Sequence, residues 1–202
     1  MSELIRTGGG AYDPTDRHVY FLASNLGLRE AEEVNDHILI AVNELYADSS
    51  LDDLEEVLAS GKRVFLDSGI FNLSMTHARK HDVSMDVALS MPPDQIDGFN
   101  ELFDRYIEIV QRFGDRLWGY IELDQGGREN KIKTRAKLEA MGLRPIPVYH
   151  PFNDGWEYFD YLGERYDRIC FGNVVQADPP IRKRLIATAW ERRRKYPELW
   201  IH

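Results

Sequence analysis

Cysteine is almost missing from this chain: Cys170 is the only one in 202 residues, which excludes an internal disulfide and any cysteine-cluster zinc site and fits a reducing compartment. Long apolar runs are missing as well. No segment reaches the roughly 20 residues of a membrane-spanning helix, and the amino terminus lacks a basic stretch followed by an apolar one. No membrane partner is expected, and the cytoplasm is the default location. Positive charge is scarce in one half only. Residues 1–100 hold 7 Lys/Arg against 18 Asp/Glu, and residues 101–202 hold 18 against 16, within a net charge of -9. The acidic total argues against a nucleic-acid partner, while the second half leaves room for one basic face. Its members are Arg128, Lys131, Lys133, Arg135 and Lys137, then Arg182, Lys183, Arg184 and Arg192 to Lys195; solvated outer helices explain such runs equally well.

Hydrophobic residues make up 43% of the chain, enough for one domain with a sizeable core. Two apolar runs are punctuated alike. Val64-Phe65-Leu66 is followed by Asp67-Ser68-Gly69, and Gly119 to Leu123 by Asp124-Gln125-Gly126-Gly127. Each is a buried strand that ends in a carboxylate and a turn. In sheets of alternating strands and helices, ligands bind at that edge.

The remaining chain alternates in the same way. Residues 1–17, with three glycines and Asp13-Pro14, form an arm or loop, and 18–202 a single domain. Strands are expected over His18–Ala23, His37–Val42, up to Asp67, over Leu117–Leu123, Ile146–Tyr149, Arg168–Phe171 and from Leu199. Helices are expected over Leu51–Ala59, one or two within residues 74–91, then Asp94–Phe113, Glu129–Met141, Asp154–Tyr166 and from Pro179 to Lys195. The order predicts an α/β fold with a parallel sheet, a (β/α)8 TIM-type barrel of which about seven strands are visible. Since a full barrel usually needs about 250 residues, continuation beyond His202, or closure by another chain in a homo- or hetero-oligomer, is expected.

The strand ends collect Asn25, Asn43, Asp67, Ser68, Asp124, Gln125, Tyr149, His150, Gly172 and Asn173. Carboxylates, amides, an aromatic ring and backbone exposed at glycine suit a flat, polar heterocycle. A carboxylate in such a cleft can move a proton. Turn capping accounts for Asp67 and Asp124 just as simply. His150 before Pro151 reads as a turn histidine with no second histidine at metal-binding spacing from it, and no metal or cofactor is expected. Cys170 reads as a buried strand residue.

The segment Phe65-Leu66-Asp67-Ser68-Gly69-Ile70-Phe71 resembles the Asp-Ser-Gly-Gly-Phe motif of the tRNA-guanine transglycosylases, and of the related phage and bacterial enzymes that place deazaguanines in DNA. Ile121 to Gln125 is similar to that family's second base-binding aspartate, and Phe171-Gly172-Asn173-Val174-Val175 to its base-holding strand end. The resemblance implies a (β/α)8 barrel that exchanges a guanine in nucleic acid, DNA or tRNA, for a free deazaguanine base. It makes Asp67 the catalytic acid/base residue. Ser68, Gly69, Phe71, Asp124, Gln125, Tyr149, His150, Gly172 and Asn173 would bind the base, with Asp124 on its Watson-Crick-like edge.

Ile70 stands where the motif has glycine, Tyr149 or His150 where the family has a glutamine, and Asn173 also departs. The family's nucleophilic aspartate follows the seventh strand, which places it beyond His202. The cysteine-rich zinc site of its tRNA enzymes has no counterpart, which leans the resemblance towards the DNA-modifying or phage-like branch. Two other readings stay open: a non-catalytic barrel subunit that binds nucleic acid or a base and is completed by a partner chain, and an unrelated barrel hydrolase or lyase that uses Asp67 and Asp124 with a divalent metal.

Overall fold

Strands His37–Ala41 (β2) and Arg63–Asp67 (β3) carry unbroken apolar centres, Ile-Leu-Ile and Val-Phe-Leu. Such runs suit parallel pairing with both faces covered. The two strands pair in parallel, with Leu39 opposite Phe65 and Ala41 opposite Asp67. Leu22–Ala23 (β1) and Gly119–Tyr120 (β4) flank them in a four-stranded parallel sheet of order β1-β2-β3-β4. The computed structural model describes residues 4–13, 21–23, 33–174 and 177–202; residues 18–20 of the expected first strand, Asn25 and Val175 lie outside them. The chain divides into two compact units, Gly8–Pro145 and a second made of Met1–Thr7 with Ile146–His202.

In the first unit the sheet is accompanied by α1 (Asp48–Ala59), α2 (Ile70–His81), α3 (Met85–Ser90), α4 (Phe99–Phe113) and α5 (Gly127–Ala140). Helix α4 buries Phe99, Leu102, Tyr106, Ile109, Val110 and Phe113, a stripe at three- and four-residue spacing. At roughly 1.5–3 kcal/mol for each large apolar side chain, this face anchors the unit's core with Leu54, Val64, Leu66 and Leu123. The helix expected from Asp94 starts at Phe99, because a separate 3-10 turn over Pro93–Gln95 ends at Ile96 and Gly98, at a left-handed φ of 82°, then caps the helix. Helix α5 is held differently. Its buried residues are Lys131, Thr134, Arg135 and Leu138, so polar bonding does most of the work that apolar burial does for α4. Gly8 and Ala11, in the stretch expected as an arm, donate backbone hydrogen bonds to Arg144 O and Leu117 O.

The second unit has its own parallel sheet, β5 (Val148–Tyr149), β6 (Arg168–Phe171) and β7 (Trp200–Ile201), with helices α6 (Trp156–Gly163) and α7 (Pro179–Arg193). Tyr149, Phe159, Leu162, Ile169 and Leu199 centre its core. Ile5 bridges to Tyr166. Thr7 donates from its backbone N–H and its Oγ1 to Asp167 Oδ1, both at 2.9 Å, and Arg168 donates to Thr7 Oγ1 and O. Helix α7 buries only Ala189. The fold class is therefore α/β, with seven helices and two small parallel sheets among the described residues.

Candidate active site in the first unit

Strand β3 ends at Asp67, and Gly69 then turns the chain into α2 with a φ of 78°. Glycine is required there. Left-handed backbone disfavours a Cβ, and a Cβ at Gly69 would stand 2.8 Å from Asn43 Oδ1. The same device recurs after β4, where Asp124-Gln125 lead to Gly126, at a φ of 79°, and α5. Its Cβ would meet Met91 O at 2.9 Å. Two Asp-X-Gly turns of one geometry thus place two carboxylates at the same edge of neighbouring strands.

The turns touch each other. Ser68 Oγ lies 3.4 Å from Asp124 Oδ1 and also receives the Ile70 N–H at 3.4 Å. After β2, Asn43 and Glu44 enter the same edge in a 3-10 turn, Val42–Leu45. Glu44 Oε1 accepts from the Ala41 N–H at 3.0 Å. Asn43 Oδ1 is buried and has no hydrogen-bond partner among the described residues.

Asp67 is pushed up to a pKa of about 6, first by loss of water around the carboxyl group and then by the negative charge of Asp124. The backbone N–H groups of Ser68 and Gly69 pull the other way, and Glu44 adds a smaller upward push. Both protonation states of Asp67 are therefore accessible near neutral pH.

Not every expected site residue is available to a ligand. Gln125 is fully buried and its amide is spent inside the unit. Its Oε1 accepts from Ser74 Oγ at 2.9 Å, and its Nε2 donates to Ala88 O and Met91 O, both at 2.8 Å. It ties the Asp124 turn to α2 and α3, which corrects its expected role as a base contact. Phe71, in the first turn of α2, is 53% exposed and free to cover a ring. Tyr149, His150, Gly172 and Asn173 belong to the second unit. There the His150 ring packs on Gly172, where a Cβ would come within 2.7 Å of His150 Cδ2, and Gly172 N–H donates to Tyr149 O. His150 N–H donates to Asp154 Oδ2 at 2.7 Å, as a turn histidine should. The buried Tyr149 hydroxyl has no hydrogen-bond partner among the described residues, and burial raises its pKa. Asn173 adopts a left-handed φ of 60°, which asparagine tolerates.

The expected basic face is also corrected in part. Lys131 and Arg135 are interior, and Arg135 Nη1 meets Glu122 Oε2 at 2.8 Å with both side chains almost fully buried. The outward basic residues of α5 are Arg128, Lys133 and Lys137, with Glu129 exposed among them. On α7, Arg182 donates to Val174 O and Ala177 O, and Arg192 pairs with Asp160 at 2.5 Å. Lys183, Arg184, Arg194 and Lys195 are exposed.

Two features escaped sequence reasoning. Glu122, one residue inside the β4 apolar run, carries the partner of Arg135. His77 and His81 share one face of α2 and meet Asp97; their four-residue spacing was the signal. Comparison of the chain with protein-family models, with curated proteins and with solved structures finds no match.

Proposed function

We propose that the strand-end cluster of Asp67, Ser68 and Asp124 binds a purine-like base and serves a base-exchange glycosyltransferase that replaces a guanine in nucleic acid by a deazaguanine. The observation that carries this reading is the upward shift of Asp67 beside Asp124. A carboxyl group poised near neutral pH can give a proton to a departing base nitrogen and take one back from the incoming base. Asp124, its neighbour across Ser68, accepts hydrogen bonds from ring N–H and amino groups. Phe71, in the first turn of α2, offers an exposed ring. The (β/α)8 barrel belongs to the same proposal, as does a nucleic-acid partner for the exposed basic residues.

A second reading is favoured by the same pair, since two carboxylates at one edge also suit a divalent cation. One set of assays separates the two. Calorimetry with guanine and a 7-deazaguanine, and exchange of labelled guanine on DNA and on tRNA, are run with and without a chelator. Base exchange predicts binding that Asp67→Asn and Asp124→Asn each weaken by about tenfold or more, with or without the chelator. Activity lost to the chelator and restored by Mg²⁺, which takes oxygen ligands rather than imidazoles, would transfer the cluster to metal-dependent chemistry. Unchanged base affinity in Asp67→Asn would end the base-binding reading.

A further inference from the structure

Near the carboxyl end of α2, two imidazoles and a carboxylate converge away from the two aspartate turns. His77 and His81 lie one helical turn apart on one face, with ring centroids 4.3 Å apart. Asp97, in the segment before Gly98 and α4, closes the group. Its Oδ2 is 2.8 Å from His81 Nε2 and 3.9 Å from His77 Nδ1, and the three ligand atoms all lie within 4.8 Å of one another. A tetrahedral ion bound at about 2.0–2.1 Å holds its donors about 3.3 Å apart. Small rotations bring the group to that spacing, and two of the three side chains, His81 and Asp97, are exposed enough to make them.

Each donor now has a hydrogen-bond partner that an ion would replace. Asp97 N–H donates to His77 Nδ1 at 3.1 Å, so that ring carries its proton on Nε2 and its Nδ1 lone pair turns to an ion once the amide bond is released, as the His81 Nε2 contact with Asp97 Oδ2 does on loss of its shared proton. His81 is the last residue of α2, where the helix dipole favours positive charge. A cation already occupies this oxygen: Lys80 Nζ lies 2.6 Å from Asp97 Oδ2, on a side chain 65% exposed that can swing into solvent.

We propose that His77, His81 and Asp97 bind a zinc-class divalent transition-metal ion, with the fourth position open to water. Two imidazoles select this class over magnesium or calcium, which take oxygen ligands. Bound there, the ion fastens the end of α2 to the segment that leads into α4. The other end of α2 begins at Gly69, two residues after Asp67, so the clamp steadies the helix that the first aspartate turn caps.

The test uses the untagged full chain, stripped with a chelator, dialysed, and titrated with Zn²⁺ by calorimetry and with Co²⁺ by visible absorption. One equivalent should bind, with the intense visible bands of tetrahedral Co²⁺ and a Tm that rises with free metal. His81→Ala and Asp97→Asn should each weaken binding by about tenfold or more, and both sites are exposed enough for the variants to fold. Histidine 77 is left intact because it is buried. No saturable binding up to about 1 mM metal, or equal binding by wild type and His81→Ala, would overturn the site.

Discussion

Ser68 Oγ and Asp124 Oδ1, 3.4 Å apart, connect two turns that are 56 residues apart in the chain. At that length the bond adds little energy, but it sets one oxygen of Asp124 beside the residue that follows Asp67. The charge of Asp124 is therefore felt by Asp67 whenever both are ionised, and four testable consequences of the site's construction can be drawn.

Asp67 should make the protein less stable as pH rises. Its folded-state pKa of about 6 lies above the unfolded value of about 3.9. The folded protein then holds more protons between those values, and its stability falls as pH climbs from about 4 to about 6. The full effect is on the order of 1–3 kcal/mol. Asp67→Asn keeps an acceptor for the Ser68 and Gly69 N–H groups and removes the charge. Urea unfolding at pH 4.5 and 7.5 should show a smaller difference in the variant, and equal or greater stability than wild type at the higher pH.

Gln125→Ala should be costly without touching the carboxylates. It leaves the Ser74 hydroxyl and the Ala88 and Met91 carbonyls without their present partner. At about 1 kcal/mol for each lost bond, the urea midpoint should report a loss of about 2–4 kcal/mol. A variant as stable as wild type would mean that water replaces the amide.

Which parts of this were legible beforehand follows from where the determinants lie. Apolar runs ended by Asp-X-Gly are local signals, so β3, the Asp124 turn and α5 could be placed from neighbouring residues alone, whereas α2 starts at Ile70, four residues before the stretch expected to be helical. The partners of Gln125 come from α2, α3 and Met91, 34 to 51 residues away, and no local pattern announces them. Lys131 and Arg135 were misleading for a different reason. Charge on a helix normally marks the solvent face, and the buried Glu122 reverses that rule for Arg135. His77 and His81 were visible as a spacing, but Asp97 arrives from beyond α3.

Arg135 and Lys133 offer a paired measurement on one helix. Arg135→Ala leaves Glu122 buried without its 2.8 Å partner, a loss of about 3–5 kcal/mol. Lys133→Ala, at an exposed position, should stay within about 0.5 kcal/mol. If α5 meets a phosphate backbone, only the Lys133 variant should reduce the salt slope of nucleic-acid binding with the fold intact.

Gly69→Ala should reveal the contact with Asn43. Both Gly69 and Gly127 are left-handed, at 78° and 75°, but a Cβ at Gly127 meets nothing within 4 Å. Each alanine carries about 1–2 kcal/mol of backbone strain. The excess at Gly69 over Gly127 in thermal unfolding measures the close approach to Asn43 Oδ1, and equal losses would show that Asn43 simply moves aside.

The bonds that join Thr7 to Asp167 and Arg168 span about 160 residues, and that span sets an order of events during synthesis. At roughly 5–20 residues per second, residues 5–7 wait roughly 8 to 30 s for the strand they will flank to leave the ribosome. Gly8–Pro145 has its whole sheet available before then. The second unit therefore joins residues made early to residues made late, and a chain stalled before Asp167 would carry a finished aspartate cluster with Thr7 still waiting for its partners.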